Sequence, residues 1–259
     1  SIGEGIHATN GTVTMEAGID NIIYAGNADY DYSNDYAIYS INKSNVSLNA
    51  KNSNVLRGAV YAQGADSEIV LQGYDEGSNS LKNELYSRKV IDDAGDLHSK
   101  GETEDEKKDV ISALYAEEGA SITLNGNENI IRTKIDSSSS ILERAVWAYN
   151  GTDSSSSLIE IDGYTDIATD SYEDSFITED GNKTLNSKDV AVAAGTAVGL
   201  NYDTVAKKPT SVVDGRAAVN INYENNESGA LSSITGDILS AYDGLVNIDT
   251  EDLGSGISI

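Results

Sequence analysis

The segment "ALYAEEGASITLNGNENIIRT", residues 113 to 133, states a plan that the chain repeats. "AIYSINKSNVSLNAKNSNVLRG" from Ala37, "AVYAQGADSEIVLQG" from Ala59 and "AVWAYNGTDSSSSLIEIDG" from Ala145 follow it: small, aliphatic, aromatic, small, a polar turn, then aliphatic-x-aliphatic. Such a repeat constrains the fold more than any other property, because one unit cannot bury its apolar positions alone and must stack on its neighbours. Anchoring on the aliphatic pair gives eight occurrences: Val13/Met15, Val46/Leu48, Ile69/Leu71, Ile122/Leu124, Ile159/Ile161, Val198/Leu200, Val219/Ile221 and Val246/Ile248. Each follows an alternating tetrapeptide that starts at Gly5, Ala37, Ala59, Ala113, Ala145, Ala191, Ser211 or Asp237.

Both segments alternate with period two, as strands with one buried face do. A third short apolar element, Ile22-Ile23, Val55-Leu56 or Ile130-Ile131, follows in several copies, each beside an asparagine. Three short strands in roughly 20 to 25 residues make one coil of a parallel β-helix. Successive pairs 23 residues apart (Val46 to Ile69) and 21 apart (Val198 to Val219) match that pitch. Wider gaps then read as coils with inserted loops near residues 26–35, 75–109 and 164–188. In the longest insertion, "LKNELYSRKVIDD" reads as a short helix and "KGETEDEKKD" as solvated loop. A β-sandwich also has many short strands, but it does not demand the same residue class at the same phase in every unit. Stacking does, because equivalent residues of neighbouring coils lie roughly 4.8 Å apart.

Within the tetrapeptides the second and fourth residues are placed inward and the third outward. That third column holds His7, Tyr39, Tyr61, Tyr115, Trp147, Ala193, Val213 and Leu239. An exposed stack of Tyr39, Tyr61, Tyr115 and Trp147 is the candidate binding stripe, since each ring offers contact area at low entropic cost. Covering loops, or the opposite strand phase, would bury it instead. The residue after each pair is polar throughout (Glu16, Asn49, Gln72, Asn125, Asp162, Asn201, Asn222, Asp249), as a turn or as an adhesive polar ladder.

Composition narrows the partners. With 17 basic against 43 acidic residues, a formal charge of −26, the chain would be repelled by nucleic acid and by anionic membrane. No apolar run approaches the ~18 residues of a membrane span. Cysteine is absent, so thiolate chemistry and disulfides are excluded. His7 and His98 are the only histidines, and no zinc helix, nucleophile elbow or phosphate-binding glycine loop occurs. Glu160 and Asp162 share a strand face at roughly 7 Å, inside the range of a glycosidase pair. The flanking repeats offer Thr123, Asn125, Gly199 and Asn201 there, so no acidic cluster extends across coils. No cofactor is expected; Asp29, Asp31 and Asp35 form a weak calcium candidate without EF-hand spacing.

"ALYAEEGASITLNG", "AVYAQGADSEIVLQG" and "ITGDILSAYDGLVNIDT" resemble the passenger regions of autotransporter adhesins, secreted β-helices of Gram-negative bacteria that include pertactin-like and self-associating proteins. The resemblance covers most of the chain outside its loops and rests on repeat style, not on a catalytic signature. It implies a right-handed parallel β-helix of about eight coils, a passenger fragment displayed on the bacterial surface. It implies attachment to a host protein, a matrix glycan or another copy in aggregates and biofilm, without membrane insertion by this segment; protease passengers exist in that family, but no serine here sits in a protease-like motif, so no enzymatic activity is expected. A cysteine-free passenger also avoids disulfides that would obstruct export through an oxidising periplasm. A polysaccharide-active enzyme and a non-binding stalk are the alternative expectations.

Overall fold

Alternating burial sets the architecture. The computed structural model describes residues 5–26, 32–73, 81–97, 106–135, 141–149, 156–169, 178–179, 182–183, 189–195, 202–203, 208–209, 217–223, 232–240 and 244–249. Among these residues every regular element is a β-strand. The main sheets are parallel, and hairpin pairing is confined to one insertion and two two-stranded ribbons.

The first sheet is built from the tetrapeptides. Strands Ile6–Thr9, Tyr36–Ile41, Ala59–Gln63, Leu114–Glu117, Leu142–Tyr149, Asp189–Ala194 and Asp237–Ser240 lie side by side. Ile6, Ile38, Val60, Leu114, Val146, Val192 and Ile238 occupy equivalent register positions in it. The second sheet begins with the aliphatic pairs: Val13, Val46, Ile69, Ile122, Ile159, Val219 and Val246 are likewise in register. Its other run takes the third apolar element through Asp20–Tyr24, Ser53–Arg57, Lys82–Ser87 and Ser233–Thr235. Two long strands, Ser121–Thr133 and Ser157–Ala168, pass through both runs and join them, with a register shift between Asn125 and Glu128. The chain visits the three runs in turn and returns to the first sheet one strand further on.

One apolar cluster fills the space between the runs, with Ile38, Leu48, Leu56, Leu71, Leu85, Leu124, Ile131 and Ile167 all buried. Within it stands a polar column. Asn21 donates to Asn54 (3.0 Å), Asn54 to Asn83 (2.9 Å) and Asn83 to Asn129 (2.8 Å), and Asn129 closes the series on the Asp162 carbonyl (2.7 Å). Each internal amide both donates and accepts, so these buried polar groups are satisfied without water.

Three expectations change. The ladders have seven rungs among the described residues, because Ile159 and Ile161 pair directly with Val219 and Ile221, and Val192 directly with Ile238. Val198/Leu200 and the tetrapeptide from Ser211 lie outside the described residues. Lys82–Ser87 is a strand rather than a helix: Asn83, Leu85 and Ser87 are buried at period two, the first two in register with Asn54 and Leu56 and the third with Thr133. Tertiary stacking overrides the helix-favouring composition of Lys, Glu and Leu there. The insertion beyond it forms an antiparallel hairpin, Val90–Leu97 with Glu106–Ile111.

Candidate functional site

The described tetrapeptides alternate as the sequence required, with the second and fourth residues toward the main core in all but the last, whose Ser240 is exposed. The third residues point the other way and stack in register: His7 on Tyr39, Tyr39 on Tyr61, Tyr61 on Tyr115, Tyr115 on Trp147, Trp147 on Ala193 and Ala193 on Leu239. Ring centroids step 4.9 Å from His7 to Tyr39, 5.0 Å to Tyr61, 5.4 Å to Tyr115 and 5.0 Å to Trp147. These lie in the range where aromatic pairs attract.

The structure thus brings the four stripe residues together, and it covers three of them. Tyr115 is 0 % exposed, Trp147 3 % and Tyr61 6 %, while Tyr39 is half-buried. They form a second apolar cluster with Ile91 and Val110 of the hairpin and with Tyr149 and Val190, and Tyr36 and Ile41 pack against it. Burial of the hydroxyls is compensated through one carboxylate. Glu117 accepts hydrogen bonds from Tyr61 and from Tyr115, the latter at 2.7 Å. Burial first, and the Glu117 charge second, push both phenols well above the usual tyrosine range, so both stay protonated. A tyrosine pair bonded to a carboxylate inside an apolar cluster locks the ring geometry.

The polar residue after each aliphatic pair also forms a column, on the outward face of the second sheet. Glu16, Asn49 and Gln72 are paired in that order, and Asn125, Asp162, Asn222 and Asp249 in theirs. Gln72 donates to Asn49 (3.0 Å) and Asn222 to Asp162 (2.6 Å). Ser47 donates to the same Asn49 oxygen (3.1 Å). Glu16, Asn49, Gln72, Asn125 and Asp162 sit within strands rather than opening turns, Asn222 and Asp249 end their strands, and Asn201 lies outside the described residues.

Glu160 stands between Thr123 and Asn220, and Asp162 between Asn125 and Asn222. Their neighbours are amides and a hydroxyl, which supply no second acid or base from an adjacent rung. Of the calcium candidates, Asp29 and Asp31 lie outside the described residues, and the Asp35 backbone N–H donates to Ser33 Oγ (3.2 Å). No group of three metal-ligating side chains occurs among the described residues. His98 also falls outside them, and exposed His7 bonds Thr9 Oγ1 at 3.2 Å.

Several residues of these sites were not singled out by the repeat. Glu117 follows its tetrapeptide by one position, and its link to Tyr61 spans 56 residues. Asn83 was hidden in a charged segment; its signal is the buried period-two set Leu81, Asn83 and Leu85. No family model, curated protein or solved structure matches this chain.

Proposed function

We propose that the chain is a right-handed, three-faced parallel β-helix of seven rungs and that it serves as an extracellular adhesin on a bacterial surface, in the manner of the autotransporter passengers it resembles. The observation that carries this reading is the outward polar column of the second sheet. It sets Asn, Gln, Asp and Glu side chains at strand spacing along a face of seven rungs, roughly 29 Å long at ~4.8 Å per step. A flat, repeating array of donors and acceptors suits lateral attachment to a host protein, a matrix glycan or a second copy of the chain. Binding without catalysis is the reading, because Glu160 and Asp162 lack partners for acid–base chemistry in the adjoining rungs.

The charge of −26 sets the test. Copies repel until the charge is screened or bridged, so association should rise with salt or calcium. Sedimentation across protein concentration, with and without each, should show reversible assembly, and coated beads should clump or attach to matrix glycan. Asn125→Lys, at an exposed point of the column, should weaken attachment while preserving the circular dichroism spectrum. A strict monomer whose beads neither clump nor attach would remove the adhesin reading.

A further inference from the structure

The outward face of the third run has a chemistry unlike the rest of this acidic chain. Tyr24, Arg57, Tyr86 and Arg132 occupy one register column on four successive rungs, so aromatic and cation alternate roughly every 4.8 Å. Tyr24 is 50 % exposed. The Arg57 guanidinium lies 4.0 Å from the centroid of the Tyr86 ring. At the adjoining corner, Tyr32 meets Tyr86 edge-on at 5.4 Å, with the Lys134 ammonium 5.6 Å from the Tyr32 ring and that of Lys89 4.8 Å from Tyr36.

Six of the chain's 17 basic residues stand on this face and corner: Arg57, Lys82, Arg88, Lys89, Arg132 and Lys134. Among the described residues the acids beside them are Asp20, Asp35, Glu84, Glu128 and Asp166. Three of these neutralise the sheet cations: Lys82 reaches Glu84 (3.2 Å) and Glu128 (3.4 Å), Arg57 reaches Glu84 (3.7 Å), and Arg132 pairs with Asp166. Lys89 and Lys134 are directed onto tyrosine rings at the corner. Among the described residues the surface is therefore close to neutral, with Arg57, Lys89 and Lys134 held against aromatic planes, on a molecule of formal charge −26.

We infer that this column and corner form a binding strip for a linear polysaccharide that carries carboxylates. An arginine stacked on a ring keeps its guanidinium flat and its edge N–H groups in one plane, the geometry that pairs with a carboxylate. Tyrosine offers an apolar face to a sugar ring and a hydroxyl to its edge. The regular rung spacing extends both along the direction an elongated chain would follow. A nucleic acid fits less well, since its dense phosphates need many cations together and the surrounding acids repel them. The inference deepens the adhesin reading by naming a ligand chemistry and a surface, and rests on it only in taking the protein as a binder.

The test is calorimetric titration of the dilute, monomeric chain with short oligogalacturonate at low salt in a chelator, beside neutral dextran oligosaccharide and a single-stranded oligonucleotide. Saturable uronate binding that fades with added salt, with none for dextran, is expected. Tyr24→Ala combined with Lys134→Glu should weaken it about tenfold, the scale of one stacking contact and one charge-assisted hydrogen bond. Arg57→Gln should also weaken it; buried Trp147 emission and circular dichroism establish that each variant is folded. Absent uronate binding, equal binding by the folded variants, or tighter binding of the oligonucleotide would overturn the assignment. Because the ligand is soluble and the protein dilute, failure here leaves self-association standing, and a failure to self-associate leaves this strip standing.

Discussion

Asn54→Ala is the substitution that most directly tests how the core is held. Asn54 is fully buried, accepts from Asn21 Nδ2 and donates to Asn83 Oδ1. Alanine leaves one donor and one acceptor in an apolar interior without partners. Each such orphan costs about 1–3 kcal/mol, so the loss should total about 2–6 kcal/mol. Asn21→Ala removes only one of these bonds and orphans only the Asn54 oxygen, so it should cost about half as much. Asn54→Leu separates polarity from volume: it fills the space, yet leaves both neighbours unsatisfied and should not restore stability. The assay is urea unfolding followed by circular dichroism, accepted only where the m-value is unchanged, since a stacked array can lose cooperativity. A loss for Asn54→Ala below about 1 kcal/mol, or recovery by leucine, would refute the view that the amide column carries stability.

The same geometry yields further expectations. Tyr61 and Tyr115 keep their protons when folded but lose them near the ordinary value of about 10 when unfolded, so above that pH the unfolded state binds fewer protons and stability falls. The slope is about 1.4 kcal/mol per pH unit for each tyrosine, and the stability present below about pH 10 is lost above it. Urea midpoints at about pH 9 and about pH 11 should show the fall, and Tyr115→Phe should reduce it; a flat profile would contradict the buried pair. Trp147, the single tryptophan, is 3 % exposed, so its emission should be blue-shifted and resist acrylamide until unfolding; easy quenching would show that the stripe is open. Gly163 has φ +106° and an added Cβ would overlap the Gly126 carbonyl, so Gly163→Ala should cost more than about 1 kcal/mol. Gly11→Ala, where the nearest heavy atom to such a Cβ is 3.7 Å away, should be close to neutral in the same denaturation series.

What the sequence made legible was phase. Val46/Leu48 against Ile69/Leu71, and Ile38 against Val60, could be aligned by eye because a strand has period two and stacked units must share residue class at each position. The aromatic column was legible for the same reason, down to the order His7, Tyr39, Tyr61, Tyr115, Trp147. Its burial was legible only as an alternative, covering loops or the opposite phase, and the covering residues could not be named, since Ile91 and Val110 belong to an insertion whose pairing is antiparallel and follows no repeat. Rung number was less legible: Ile161 pairs directly with Ile221, and the pair Val198/Leu200 counted between them lies outside the described residues. The Tyr24, Arg57, Tyr86, Arg132 column escaped notice because its members are 33, 29 and 46 residues apart. Unequal insertions hide that register, and only strand pairing reveals it.

Burial on two sides decides where binding can occur. The first sheet is sandwiched: Ile38, Val60, Leu114 and Val146 face the main core, and Tyr61, Tyr115 and Trp147 face the second cluster. Along this stretch its side chains are already engaged, and a partner reaching the rings would first have to displace Ile91 and Val110. Among the described residues the other runs pack a core on one side. Their outward columns remain at the surface: amides and acids beside the aliphatic pairs, cations and rings beside the asparagine column. These two faces differ in charge and come from one continuous second sheet. The proposed lateral self-contact between amide columns and the proposed carboxylate-bearing ligand on the arginine–tyrosine strip therefore use separate surfaces. Removing one should leave the other intact, because the two surfaces share no contacting side chain named in either role.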